Sequence, residues 1–440
     1  MNTISLPANI VSRNTRIFII GLLTAALYAL LPIEYSSPFF IIFSGLLLGV
    51  FIISVDSPEE FNKIFFLFIA GFLIRVLLAL FLYFTLNILQ INDGFFIGDG
   101  QSYSSNGWRI SRLWDLGIVV NKDNFVSEFG SFSGTIGNYD FFNAIIYHFS
   151  GYNPVILFFI NCLASSLSII FVYIIANKIF SNEIAWLASA FCAFFPSFIL
   201  WASQNLKDPL MNLCILSFLY FLIKLRYELK VSFIIFLFLS VISLYYIRIL
   251  TITPFAIISI AYFFLCCKVR IEIKIVFMIL MFALALSLFK DVFSYHFISS
   301  SLEDIDTTRR GMAYGNLAYF QNFKISSIGG LLIFIPLGFF AVWFSPFPWQ
   351  IGSVSQIFVF PEMLIWYIFI PFLCRGIYIS LKDKKTDSYI ILITLLVFSI
   401  FLGVYEGNLG TLYRHKAIII MLAYIFISRG LNERKGSVAI

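Results

Sequence analysis

The sequence predicts an all-α fold, a polytopic bundle of about twelve transmembrane helices. Three observations lead there. Of the 440 residues, 60% are hydrophobic and only 12% charged, whereas a soluble domain carries roughly 25% charge; the mean hydropathy is +0.95. Apolar runs of about 17–25 residues recur from end to end, each long enough to cross the hydrocarbon core as a helix. The short alternating segments of a membrane β-barrel are absent, and lipid offers the backbone no water, so helices are the expected solution.

The first apolar run, 17–33, follows Arg13 and Arg16. It imitates a signal peptide, but with so many spans behind it an uncleaved first helix is the better reading. Crossings at 38–55 and 64–89 follow. A polar stretch, 90–151, comes next and reads as a first outer loop. Six more crossings are expected at 152–176, 184–201, 209–223, 231–247, 251–267 and 275–289. A second polar stretch covers 290–327. Residues 328–361 are apolar but interrupted by Gly329-Gly330, Pro336, Pro346, Pro348 and Pro361. The last crossings are 362–381, 388–405 and 417–428.

With the N-terminus in the cytoplasm, the short loops holding Lys178, Lys224, Arg226, Lys230, Lys268, Arg270, Lys274, Lys382, Lys384 and Lys385 fall inside, as the positive-inside rule asks. A single crossing by 328–361 would export the Lys382–Lys385 loop. That segment is therefore read as re-entrant, a broken helix lining a cavity. Both termini are then cytoplasmic. No internal repeat or linker is visible, so residues 1–440 form one membrane domain, with 290–361 as a second outer loop plus re-entrant segment.

The net charge of +6 does not point to nucleic acid, because the basic residues sit in short loops as orientation signals. Cys162, Cys192, Cys214, Cys266, Cys267 and Cys374 lie in or beside apolar spans, with neither metal-ligand spacing nor a disulfide framework. They read as core thiols.

Chemistry is expected on the outer side. Asp99 stands in Gly98-Asp99-Gly100-Gln101-Ser102-Tyr103, between glycines that permit a tight turn and close approach of a ligand. As a carboxylate near the membrane surface it could take a proton from an attacking hydroxyl. Around it the outer side collects Asp93, Asp140, Lys207, Asp208, Arg248, Glu362, Glu406, Arg414 and His415. Several stand where a polar loop meets a span, the depth of a lipid phosphate. Arginine and lysine suit phosphate oxygens there; snorkelling helix anchors are the bland alternative. Arg75 lies mid-span, at an insertion cost of at least roughly 2.5–3.5 kcal/mol, and should face a cavity or a carboxylate.

Three stretches together resemble the GT-C superfamily of membrane glycosyltransferases, which includes protein O-mannosyltransferases and the lipid A aminoarabinose transferase. Asp99-x-x-x-Tyr103 looks like the family's acidic motif. Residues 139–222 look like its best-marked core, from Tyr139-Asp140-Phe141-Phe142 through Tyr147-His148-Phe149-Ser150-Gly151 to Trp201-Ala202-Ser203-Gln204-Asn205-Leu206-Lys207-Asp208. Pro346-Phe347-Pro348-Trp349, Glu362 and Asn408–Lys416 look like the C-terminal half of bacterial members. The pattern covers about half the chain. It departs from the family in two extra leading helices, in a lone Asp99 where an acidic pair is usual, and in having no counterpart of a soluble C-terminal domain.

The resemblance implies an inverting transfer of a sugar from a polyprenyl-phosphate carrier to a glycan, lipid or protein acceptor on the outer face of a bacterial inner membrane. Asp99 would be the catalytic base, and Asp208 a second catalytic carboxylate facing the active site. Tyr103, Lys207, Arg248, Glu362, Arg414 and His415 would bind carrier or substrate. No cofactor is implied, although a divalent ion shared by Asp99 and Asp208 stays open. The partners would be the lipid-linked donor, the acceptor and membrane lipids. The alternative enzyme is an O-antigen or capsule repeat-unit polymerase, which would work through arginines such as Arg309-Arg310 or Arg414 without an aspartate base. A flippase for the same lipids would string charges along the spans, where only Arg75 and Arg375 lie.

Overall fold

The computed structural model describes residues 33–120, 137–228, 230–248, 251–266, 279, 302–313, 318–325, 327–347 and 354–437, and its described elements are helical. In chain order they are α1 (Ile33–Asp56), α2 (Phe61–Ile88), α3 (Gly98–Asp115), α4 (Asn138–Ser150), α5 (Pro154–Ile179), α6 (Asn182–Phe194), α7 (Pro196–Ala202) and α8 (Asp208–Tyr227). There follow α9 (Val231–Ile247), α10 (Ile252–Cys266), α11 (Leu302–Met312), α12 (Ile328–Phe344), α13 (Val354–Lys382), α14 (Thr386–Tyr405), α15 (Leu409–His415) and α16 (Ala417–Ser437). Among the described residues five helices are long and apolar enough to cross a membrane, or up to seven if the bent pairs α6–α7 and α15–α16 each count as one span. But for one residue each, the crossings expected at 17–33 and 275–289 lie outside the described residues.

The apolar core is centred on α5 and α16, whose residues Ile169–Ala176 and Ile418–Ile427 are buried. Helix α16 meets α13 backbone to backbone. A Cβ on Gly376 would stand 1.9 Å from the Phe426 carbonyl oxygen, and one on Gly430 would stand 2.1 Å from that of Phe372. Such small-residue crossings are how membrane helices approach closely.

Two expectations change. The stretch 90–151 is not a loop throughout: it holds α3 and α4, packed on each other. Helix α3 buries a stripe of small residues, Gly100, Ser104, Gly107 and Ser111, at helical spacing. A Cβ on Gly107 would lie 2.5 Å from that of Asn143 on α4. Second, not every glycine and proline of 328–361 is a break: α12 runs unbroken through Pro336 and α13 through Pro361, while α12 ends at Phe344, two residues ahead of Pro346. Helix α12 lies antiparallel to α14, with Gly338 against Gly403 and Trp343 Nε1 donating to Ser399 Oγ at 3.0 Å. Its last turn reaches α13, where Trp366 Nε1 and the Tyr367 hydroxyl donate to the Trp343 and Phe344 carbonyls, each at 2.7 Å.

The bend between α6 and α7 is 55°, and its cause is Pro196. Proline has no N–H for the Cys192 carbonyl, and the Ser197 N–H turns away from Ala193. Arg75 takes up both freed carbonyls, at 2.9 Å each, and also bonds the Gly71 carbonyl and Ser165 Oγ. Glu362 accepts the Ser197 N–H. The mid-span arginine thus faces neither a cavity nor a carboxylate; it stitches a broken helix, as buried backbone groups require.

Charged residues gather at the two ends of the bundle. At one end Lys224 pairs with Asp56 at 2.6 Å, Arg429 with Asp383 at 2.7 Å, and Arg226 with Asp387. At the other lies the candidate site.

Candidate functional site

Three chain segments bring the site together. Asp99 occupies the first turn of α3, and Asp208 the first turn of α8 ahead of Pro209. Carboxylates are favoured at these positive helix ends. The glycines beside Asp99 are therefore not in a turn. Gly100 is needed for close approach: a Cβ there would sit 3.1 Å from the Asn205 carbonyl oxygen. The Asn205 amide donates to the Gly100 carbonyl at 3.2 Å and to Asn143 Oδ1 at 2.9 Å, and the Tyr139 hydroxyl donates back to Asn205 Oδ1 at 3.0 Å. Asn205 is thus the pin that sets Asp99 beside Asp208. The third segment is Glu406 and α15, where the Asn408 side chain accepts the Gly410 N–H at 2.8 Å.

Arg414 joins the two acids. Its Nη1 lies 3.0 Å from Asp99 Oδ2, and its Nε lies 3.0 Å from Asp208 Oδ2. Asp208 also faces His415 Nε2 at 3.4 Å. His415 Nδ1 contacts Glu406 Oε1 at 2.5 Å, and Glu406 in turn takes Arg248 Nη2 at 3.0 Å and the Thr411 hydroxyl at 3.0 Å. Carboxylates and basic side chains alternate from Asp99 to Arg248. Asp99, with 44% of its side chain exposed, is at the open end, whereas Asp208 at 3% and Arg414 at 8% are buried. The contacts of Asp208 are ion pairs without hydrogen-bond alignment: neither Arg414 Nε nor His415 Nε2 directs its N–H at a carboxylate oxygen.

Lys207 stands apart. Among the described residues its ammonium has no carboxylate in salt-bridge reach and lies 5.8 Å from the centre of the Tyr103 ring. Burial, and next the neighbouring Arg248, lower its pKa. Burial also raises the Tyr103 hydroxyl, with Asp99 adding to it. For Glu406, burial pushes upward but His415 and Arg248 outweigh it, so the carboxyl is held below the ordinary range.

Of the residues expected from sequence, Asp99, Tyr103, Lys207, Asp208, Arg248, Arg414 and His415 come together. Glu362 does not join their charge network: it is committed to the Ser197 N–H and, at 2.5 Å, to the Tyr413 hydroxyl. Arg309 is likewise structural, bonded to Asp306 at 2.8 Å and to the Phe320 carbonyl at 2.9 Å. It holds α11 over Gly407, where a Cβ would come 2.1 Å from the Arg309 carbonyl oxygen. Sequence reasoning gave Glu406 no role, although its signal was present: an acid closing an apolar span two residues before the Asn408–Lys416 run. Asp140 caps its own helix through the Gly137 N–H at 2.6 Å.

The cation between Asp99 and Asp208 is the Arg414 guanidinium, so their donor set does not fit a shared divalent ion. Among the described residues no three His, Cys, Asp or Glu side chains converge as metal ligands. No protein-family model matches the chain, and no curated protein matches it. Chemically, the arrangement offers a part-exposed carboxylate, a guanidinium shared by two carboxylates and an ammonium with no carboxylate in salt-bridge reach among the described residues.

Proposed function

We propose that the protein is a GT-C-like inverting glycosyltransferase, moving a sugar from a polyprenyl-phosphate carrier to a glycan, lipid or protein acceptor on the outer face of a bacterial inner membrane. Lys207 carries the reading. A half-buried ammonium with no carboxylate in salt-bridge reach among the described residues, near Arg248 and Arg414, calls for an anion, and a phosphodiester at the membrane boundary supplies one.

The phosphodiester enters beside Lys207 and competes with Asp99 for Arg414. Turned toward the phosphate, Arg414 releases Asp99, whose carboxylate oxygens are then free to accept a hydrogen bond from the acceptor hydroxyl. Asp99 then takes the acceptor hydroxyl proton. The acceptor oxygen bonds to the anomeric carbon as that carbon's bond to the phosphate oxygen breaks. The polyprenyl phosphate leaves with the electron pair, its growing charge met by Lys207 and Arg414. Asp208 stays ionised and holds Arg414 and His415. In this reading α11 and α12, approached from the outer side, cover the site and limit water. Both termini are cytoplasmic, with about twelve crossings.

The test is carrier binding in nanodiscs. Polyprenyl phosphate should bind the wild-type protein, and Lys207→Gln should weaken it about tenfold to a hundredfold, the loss of one charged hydrogen bond. Equal binding of the phosphate and of uncharged polyprenol by the wild type would refute the anion site.

A further inference from the structure

Beneath the Arg414–Asp208 pair lies a small cavity, ≈ 10 Å³, whose lining includes Trp201, Asp208, Asn212 and Arg414. Each of these contributes a polar atom that is buried and without a hydrogen-bond partner: Trp201 Nε1, both Asp208 oxygens, Asn212 Oδ1 and Arg414 Nε. Trp201 Nε1 and Asn212 Oδ1 have no partner, and Asp208 and Arg414 Nε meet only as an unaligned ion pair; a buried polar group left unmet costs roughly 1–3 kcal/mol. They divide by type. Trp201 Nε1 and Arg414 Nε are donors only; Asp208 and Asn212 Oδ1 are acceptors. A cation is turned away by the two N–H groups, and an anion by the carboxylate and the amide oxygen. The matching ligand accepts two hydrogen bonds and donates two. A cavity of about 10–15 Å³ with two to four polar partners is what one buried water requires.

We propose that this cavity binds one structural water, accepting from Trp201 Nε1 and Arg414 Nε and donating to Asp208 and Asn212 Oδ1, and that Trp201 and Asn212 position Arg414 through it. This accounts for the unaligned ion pair. Arg414 Nε is 3.0 Å from Asp208 Oδ2, yet its N–H is not spent there because it turns into the cavity. With Nε fixed by the water, the guanidinium plane is set, and Nη1 reaches Asp99 from a defined direction. Neither Trp201 nor Asn212 needs to touch a substrate. The water site stands on its own; only its consequence for transfer rests on the glycosyltransferase reading.

A structure at a resolution that orders water tests the site first, with density in hydrogen-bonding reach of all four groups expected. The second measurement uses Trp201→Phe, which keeps the ring and loses the N–H, and Asn212→Leu, similar in size without the oxygen. Each single variant should lower the midpoint of thermal unfolding. The double variant should fall no lower than the worse single one, because either change already expels the shared water. In protein labelled with ¹⁵N-arginine, the Nε signal of Arg414, assigned by its loss in Arg414→Lys, should shift in both single variants. A cavity without density, or additive destabilisation with the Arg414 signal unmoved, overturns the proposal. None of these readouts needs a carrier or a transfer reaction, so a failed glycosyltransferase reading and a failed water site are told apart. If one variant does not fold, the other and the density still decide.

Discussion

Arg414 serves two carboxylates of unlike surroundings, one open and one buried. Breaking a buried pair by removing one partner strands the other charge, so Asp208 is the acid that fixes Arg414 and Asp99 is the one free to leave. Asp140, near by on α4, behaves differently. Burial raises its carboxyl from 3.8 to about 6, against the opposing hydrogen bonds from Gly137 and Asn106. A folded-state value above the unfolded one contributes stability below about pH 4 and loses it as the pH rises through about 6. Asp140→Asn has no such titration. Its stability relative to wild type should therefore improve between pH 4.5 and 7.5, by up to about 2 kcal/mol at 1.36 kcal/mol per pKa unit, read as a relative rise in melting temperature. A difference independent of pH would count against the buried carboxyl. Asp99, Tyr103 and Arg414 were legible because polar residues at a loop–span boundary are conspicuous in an apolar chain. The surroundings of Glu362 were not legible, since composition cannot tell a boundary acid that faces open space from one that accepts a backbone N–H.

Elements were legible where they are apolar and hidden where they are not. The crossing expected at 64–89 is α2 over 61–88, because between its polar ends at Lys63 and Asn87 it is apolar but for Arg75 and Thr85. Helix α3 escaped notice because it is polar on average and its buried face mixes Gly100, Ser104, Asn106, Gly107 and Ser111 with only Ile110 and Leu113, so it does not stand out among long apolar spans. The break between α6 and α7 was announced by Pro196, but its repair was not, since Arg75 is 117 and 118 residues from the carbonyls it serves. Replacing Arg75 by Met should orphan those carbonyls and cost about 3 kcal/mol or more at roughly 1–3 kcal/mol per buried group, read as a fall in thermal stability. Carrier binding per folded molecule should stay as in wild type. A variant as stable as the parent would show that the break is satisfied some other way.

Across the whole molecule the two charged ends divide the labour. The end with Lys224, Arg226 and Arg429 carries short basic connections; the end with Asp99 and Arg414 carries α3, α4 and α11. Hydropathy and loop charge made the class legible, whereas the way α12 meets α14 and α13 needed three-dimensional partners far apart in sequence. The topology has a direct check. In intact cells an impermeant thiol reagent should label Leu116→Cys, at an exposed position beyond α3, over the parent background. Lys382→Cys, at the exposed end of α13, should react only after permeabilisation. The opposite pattern would place the site inside. The central claim, that Asp99 is the base of a sugar transfer from a phosphate carrier, is tested by single-turnover transfer in proteoliposomes. Wild-type protein and Asp99→Asn would be given radiolabelled polyprenyl-phosphate sugars and cell-envelope acceptor, with carrier binding measured in the same vesicles. The account predicts transfer by the wild type and a loss of about 10²–10⁴ in the variant with the carrier still bound. Equal transfer by both proteins, or none by the wild type from any monosaccharide carrier, would contradict it.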